Sequence, residues 1–168
     1  MNGLHYLTTS DDARIAYRTD GDAGLPLLML SNSIGTDLHM WDGQIAALTR
    51  VFRVLRYDAR GHGASSVPPG PYSLARLGQD VIELLDALGE RRVHFLGLSL
   101  GGIVGQWLAV HAPQRVERLV LAHTSPWFGP PDQWEARIAG VLDAPDMQGA
   151  TATFLANWFP ASWLEDAR

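Results

Sequence analysis

Arg92-Val93-His94-Phe95-Leu96, running into Gly97-Leu98-Ser99-Leu100-Gly101-Gly102, decides the fold of this chain. The first five residues read as an apolar strand, and a helix is expected from about Ser99 to Ala112, where Pro113 stops it. A strand that passes into a helix this abruptly forces the residue at the corner, Ser99, into a strained backbone conformation. Side chains at Gly97 and Gly101 would then collide with neighbouring backbone, and Gly102 and Gly105 allow the helix close to the sheet. The strain has a use: it lifts the Ser99 hydroxyl out of the sheet and sets the Leu100 amide to donate to a developing oxyanion. The competing reading is a tight turn carrying an idle serine.

The rest of the chain alternates strands and helices around that corner. Residues 3–9 and 13–19 alternate like a hairpin with Asp11-Asp12 at the turn. Leu25-Pro26-Leu27-Leu28-Met29-Leu30 is a continuous apolar run, as expected of a strand covered on both faces. A loop over 31–37 leads to a helix around 39–49, then to a strand over Val51–Tyr57. After the turn-rich Asp58-Ala59-Arg60-Gly61-His62-Gly63-Ala64-Ser65, Ser73 caps a helix with Leu77, Val81, Leu84, Leu85 and Leu88 at helical spacing, closed by Gly89. Val116–Ala122 reads as one more buried strand. Strands separated by helices of this length predict an α/β fold, a mostly parallel sheet with helices on both faces. From about Pro126 the texture changes: Trp127, Trp134, Trp158 and Trp163 lie on helical patterns with no strand between. The expectation is a core over 1–125 and, over 126–168, the start of a helical cap above the strand ends, where ligands bind in open α/β sheets.

Composition narrows the function. With 46% hydrophobic and 18% charged residues in 168, the chain is globular rather than disordered. A net charge of −5 with no basic run argues against nucleic acid as a partner. Cysteine is absent, which removes disulfides, thiolate chemistry and cysteine zinc sites. No signal-peptide pattern is visible, and the apolar runs are strand length, too short for a membrane; a cytoplasmic location is the expectation.

The layout resembles the α/β-hydrolase family across the whole chain. Within it, the chain is most similar to the 3-oxoadipate enol-lactonase group. Three blocks carry the likeness: Leu30-Ser31-Asn32-Ser33-Ile34-Gly35-Thr36-Asp37-Leu38-His39-Met40-Trp41-Asp42, Leu55 through Ser65 with Val67-Pro68-Pro69-Gly70-Pro71-Tyr72, and Phe95 through Leu108. The D-x-R-G-H-G loop and the serine corner belong to the wider family, which includes esterases, haloperoxidase-like enzymes and carbon–carbon hydrolases. The first block is narrower, because many relatives carry His-Gly where this chain has Asn32-Ser33.

The resemblance implies serine hydrolysis without metal or cofactor, acting on a small lactone or ester such as the enol-lactone of aromatic catabolism. Ser99 would be the nucleophile, with the backbone amides of Leu100 and Ile34 as the oxyanion hole. Asn32 either orients the Ile34 loop or satisfies local backbone groups, the structural role being preferred. Asp58, Arg60 and His62 are read as tying down their own turn rather than relaying charge. His123, at the end of the last strand, and Trp127 are candidate substrate contacts, and Arg137 is a candidate partner for a substrate carboxylate. A general carboxylesterase, a cofactor-free haloperoxidase-like enzyme and a non-catalytic binding protein of the same fold remain as alternatives.

The family's acid and histidine follow the cap in chain order, and no residue up to Arg168 matches either position. Asp143 and Asp146 fall in cap-like sequence, and His123 precedes the cap. The expectation is therefore the N-terminal portion of a longer hydrolase, or a half-protein completed by a second chain, with a strand edge left exposed. An unactivated serine is a poor nucleophile at neutral pH. The isolated 168-residue chain should accordingly show little ester or lactone turnover; robust hydrolysis of an activated ester, abolished by Ser99→Ala, would overturn that expectation.

Overall fold

The structure, a computed structural model, describes residues 3–166. In chain order its strands are β1 (His5–Thr8), β2 (Arg14–Asp20), β3 (Leu27–Ser31), β4 (Arg53–Tyr57), β5 (Val93–Leu98) and β6 (Val116–Ala122). Its helices are α1 (Asp42–Leu48), α2 (Leu74–Ala87), α3 (Leu100–His111), α4 (Pro131–Leu142), α5 (Met147–Trp158) and α6 (Ala161–Asp166). The chain divides into two compact units, Met1–Pro126 and Trp127–Arg168.

Every second side chain of β3 enters a different core, which explains its unbroken apolar run. Leu27 and Met29 pack with Val81, Leu84 and Leu85 of α2 and Val104 and Leu108 of α3. Leu28 and Leu30 pack with Trp41 and Val54, joined by half-buried Ile45 and Leu48 of α1. Side chains alternate across a strand, so a sheet covered by helices on both faces needs apolar residues at successive positions. The six strands lie in the order β1-β2-β4-β3-β5-β6. β4, β3, β5 and β6 are mutually parallel, and β2 joins β4, and β1 joins β2, antiparallel.

Several boundaries differ from the sequence reading for local reasons. The helix expected around 39–49 is a 3₁₀ turn, Leu38–Trp41, capped by Asp37, and only then α1. β4 begins at Arg53 rather than Val51 because Val51 and Phe52 both donate to the Leu48 carbonyl, closing the end of α1. Ser73 caps α2 as expected, accepting from the Arg76 amide at 3.1 Å. Gly89, at φ +71°, ends it, with Glu90 N–H donating back to the Leu85 carbonyl at 2.8 Å. β6 is where the expectation fails: Val116–Ala122 is a strand but not a buried one. Among the described residues it pairs with β5 alone, and Val120 and Leu121 are 51% and 43% exposed.

Buried charge fastens the hairpin to the parallel core. Arg60, 3% exposed, makes a paired contact with Asp80, both bonds at 2.7 Å, and a second with Asp11 at 2.9 and 3.0 Å. Arg76 reaches Asp80 and Glu83, and Glu83 accepts from the amide and hydroxyl of Ser10. The β1–β2 turn, the loop after β4 and α2 are thus one ionic network. A buried charge is costly unless paired and hydrogen-bonded, and planar arginine forks meet that requirement well.

The second unit, taken by itself, is helical. Asp146 caps α5 by accepting from the Gly149 amide at 2.7 Å. The Trp134 indole N–H donates to the Phe128 carbonyl at 3.0 Å. Aromatic pairs Phe154–Trp158 and Phe159–Trp163 stand at 5.8 and 4.8 Å between ring centroids. No helix among the described residues is long and apolar enough to cross a membrane.

Two outcomes follow from the core unit. The Arg60 guanidinium, and secondarily the Thr9 hydroxyl, hold the Asp11 carboxyl far below its usual value of 3.8. A carboxylate depressed by folding adds stability that is fully present above its unfolded value and is lost as pH falls. Urea unfolding of Asp11→Asn should therefore show lower stability at pH 7 and a flatter decline below about pH 4 than the unsubstituted protein. Gly101→Ala gives the second outcome. Alanine inside a helix normally gains about 1 kcal/mol over glycine. Here its β-carbon would lie 2.2 Å from the Ser31 carbonyl oxygen, a backbone atom that cannot swing away. Overpacking costs about 1–3 kcal/mol, so the expected result is a lower Tm, and a raised one would refute the close approach.

Candidate active site

Ser99 sits between β5 and α3 with φ 53° and ψ −113°. Left-handed φ at a residue with a side chain is uncommon and persists only where the surroundings over-determine it. The surroundings do so on both sides. The Ser99 amide donates to the Ala122 carbonyl at 3.0 Å, and the Thr124 hydroxyl donates to the Ser99 carbonyl at 2.8 Å. Under the corner, a β-carbon on Gly97 would lie 2.2 Å from the Gly101 carbonyl oxygen. The glycines flanking the serine are there for space, as their spacing in the sequence suggested.

Leu100 opens α3, where amides have no partner inside the helix and face the positive end of its dipole. The loop carrying Ile34 is tied to the same helix end, because the Gly101 amide donates to the Asn32 carbonyl at 2.9 Å. That loop is held from behind by a chain of buried polar groups. The Trp41 indole N–H donates to Asn32 Oδ1 at 2.7 Å, and Asn32 Nδ2 donates to the Tyr57 carbonyl at 2.9 Å. The Tyr57 hydroxyl meets Ser31 Oγ at 2.7 Å. Burial pushes the Tyr57 phenol well above its ordinary range, so it keeps its proton throughout the neutral range. Asn32 therefore does both things the sequence left open: it satisfies the backbone of β4 and fixes the loop that bears Ile34. Ser31, Asn32 and Tyr57, with Leu100, Gly101 and Val104, line a cavity of about 10 Å³.

The Asp58–Ser65 loop is a turn tied down by its own side chains. Asp58 accepts from the Leu38 amide at 2.7 Å and the Ala64 amide at 2.8 Å, and Ser65 Oγ donates to the Asp58 carbonyl at 2.7 Å. Arg60 is committed to Asp80 and Asp11, and His62 Nδ1 lies 3.1 Å from the Arg60 carbonyl. None of this resembles a relay toward Ser99.

The remaining sequence candidates fall in two places. His123 lies in the loop after β6, at φ 43°, between the two residues that grip Ser99. Trp127 and Arg137 belong to the second unit, where the Arg137 guanidinium stacks 4.9 Å from the Trp134 ring centroid. Sequence reasoning passed over Thr124, Trp41 and Tyr57 as members of the site. Among the described residues no cluster of His, Cys, Asp or Glu side chains is arranged to hold a metal ion.

The profile of the alpha/beta hydrolase fold family matches residues 26–158. The chain is 43% identical over 162 residues to 3-oxoadipate enol-lactonase 2 of Acinetobacter baylyi, covering 95% of this chain and 59% of that protein. Among solved structures, a hydrolase from Pseudomonas aeruginosa PA01 matches with TM-score 0.95 and 73% identity, over 98% of this chain and 62% of that one. The enol-lactonase from Burkholderia xenovorans LB400 matches with TM-score 0.90 and 41% identity, over 96% and 62%. The chain thus spans about three-fifths of the length of the relatives it matches. The strand–serine–helix corner, the sheet order and these likenesses agree, and the chain belongs to the alpha/beta hydrolase fold family.

Proposed function

We propose that this chain supplies the nucleophile and oxyanion-binding groups of a hydrolase that opens a small enol-lactone, 3-oxoadipate enol-lactone being the best-supported substrate. The single observation that carries the reading is the left-handed backbone of Ser99, held at φ 53° where a glycine would sit without strain. A strained, over-determined residue with a side chain at the carboxyl end of a strand is a costly arrangement of the kind that clusters at functional sites. The likeness to enol-lactonases from Acinetobacter baylyi and Burkholderia xenovorans supports the substrate class.

In this reading Ser99 Oγ bonds to the lactone carbonyl carbon while its proton passes to a general base, a role given to no side chain among the described residues. The carbonyl oxygen becomes an anion facing the Leu100 and Ile34 amides. Fixed donors aimed at charge that develops only in the transition state lower the barrier, and losing one typically costs about 10²–10³ in rate. The ring C–O bond then breaks, its electron pair leaving on the enol oxygen, and water releases the acyl group from Ser99. His123, Trp127 and Arg137 are the side chains assigned to substrate contact. On this proposal Arg137 is the candidate partner for the substrate's free carboxylate.

The test uses the protein at the length its gene encodes. The enol-lactone should be turned over with a kcat/KM well above that for simple acetate esters, which separates this reading from a general carboxylesterase. Ser99→Ala should lower kcat by about 10⁴-fold or more with the fold intact by circular dichroism. A fluorophosphonate should label Ser99 in the unsubstituted protein; an inert Ser99 would instead mark a binding protein of the same fold.

A further inference from the structure

We infer that Thr124 is a positioning residue for Ser99: its hydroxyl, returned to the corner by the left-handed turn at His123, locks the serine backbone in its reactive conformation. The inference rests on the nucleophile reading above but concerns a residue that reading does not use.

The observations come from one loop. Among the described residues only Asp12, Ser99 and His123 are non-glycine residues with positive φ. Asp12 lies in the hairpin turn, whereas the other two face each other across the ends of β5 and β6. Ala122, just before His123, accepts the Ser99 amide at 3.0 Å, and Thr124, just after it, donates to the Ser99 carbonyl at 2.8 Å. Both backbone polar groups of Ser99 are therefore gripped by one short segment. An extended backbone at position 123 would carry the chain onward and the hydroxyl away, so the two left-handed residues are parts of a single device.

Two further features fit a positioning role. The Ser99 carbonyl also accepts the Ile103 amide at 3.1 Å, so Thr124 gives a second donor to an oxygen that already starts α3. Thr124 itself is placed by contact with Gly102: a β-carbon there would lie 2.6 Å from Thr124 Cβ and Cγ2. Gly102 thus makes room for the threonine, a more specific role than general closeness of helix and sheet. Displacement of a nucleophile by about 1 Å can cost about 10²-fold in rate, so a clamp on its backbone has leverage on chemistry out of proportion to one hydrogen bond.

Thr124→Val removes the hydroxyl and keeps the shape; Thr124→Ser keeps the hydroxyl and removes the methyl. In the protein at its encoded length, Thr124→Val should slow fluorophosphonate labelling and lower kcat by about tenfold or more, with KM within about twofold, and Thr124→Ser should restore both. Thr124→Ala is the hydroxyl-free variant to use where valine prevents folding. Unchanged labelling in the hydroxyl-free variant overturns the inference, and so does an equal loss in Thr124→Ser, which would assign the effect to methyl packing on Gly102. Backbone amide chemical shifts of Ser99 and Leu100 give a readout independent of reactivity. A shift in Thr124→Val that Thr124→Ser reverses supports the clamp even where Ser99 proves inert, in which case the nucleophile reading alone falls; shifts unmoved by loss of the hydroxyl overturn the clamp.

Discussion

Where residue 101 would carry a β-carbon, the structure has the carbonyl group of Ser31, and much of the site follows from that close approach. It brings the first turn of α3 against the end of β3 and lets the Gly101 amide reach the Asn32 carbonyl. The loop after β3, which carries Ile34, and the start of α3, which carries Leu100, are thereby joined through their backbones. Side-chain packing elsewhere tunes stability; this contact determines whether the two loops meet at all.

The polar groups behind the site act on the same piece. Trp41, Asn32, Tyr57 and Ser31 are joined by hydrogen bonds in a region shielded from water. Each such bond contributes about 1 kcal/mol net, but leaving one buried partner unmatched costs about 1–3 kcal/mol. That asymmetry makes the arrangement specific: a shifted loop would strand several buried groups at once. The Asp11–Arg60–Asp80 cluster does the corresponding work one layer out, anchoring the antiparallel hairpin to α2 across a long stretch of sequence.

What could be read from the residues alone was whatever is local. The corner at Ser99, the cap at Ser73 and the two-faced burial of β3 each depend on a few neighbouring side chains and their periodicity, and each was legible. The loop of Asp58, Arg60 and His62 was rightly taken as self-tying, since turn chemistry is also local. β6 misled because an apolar strand at a sheet's margin has the same letters as one in its interior; Val120 and Leu121 differ from Leu28 and Leu30 only in what lies beside them. Thr124 and the Trp41–Asn32–Tyr57 chain were illegible for a related reason. Their partners lie about 10 to 25 residues away, and a hydroxyl or indole carries no mark of which carbonyl it will meet.

The backbone of residue 99 also bears on how such a protein could change over time. A left-handed serine stores roughly 1–3 kcal/mol that a glycine at the same place would release. Selection for thermal endurance alone would therefore favour the change Ser99→Gly and, on the nucleophile reading, silence the protein in a single step. On that same reading, a serine held at this left-handed corner gives up robustness for reactivity.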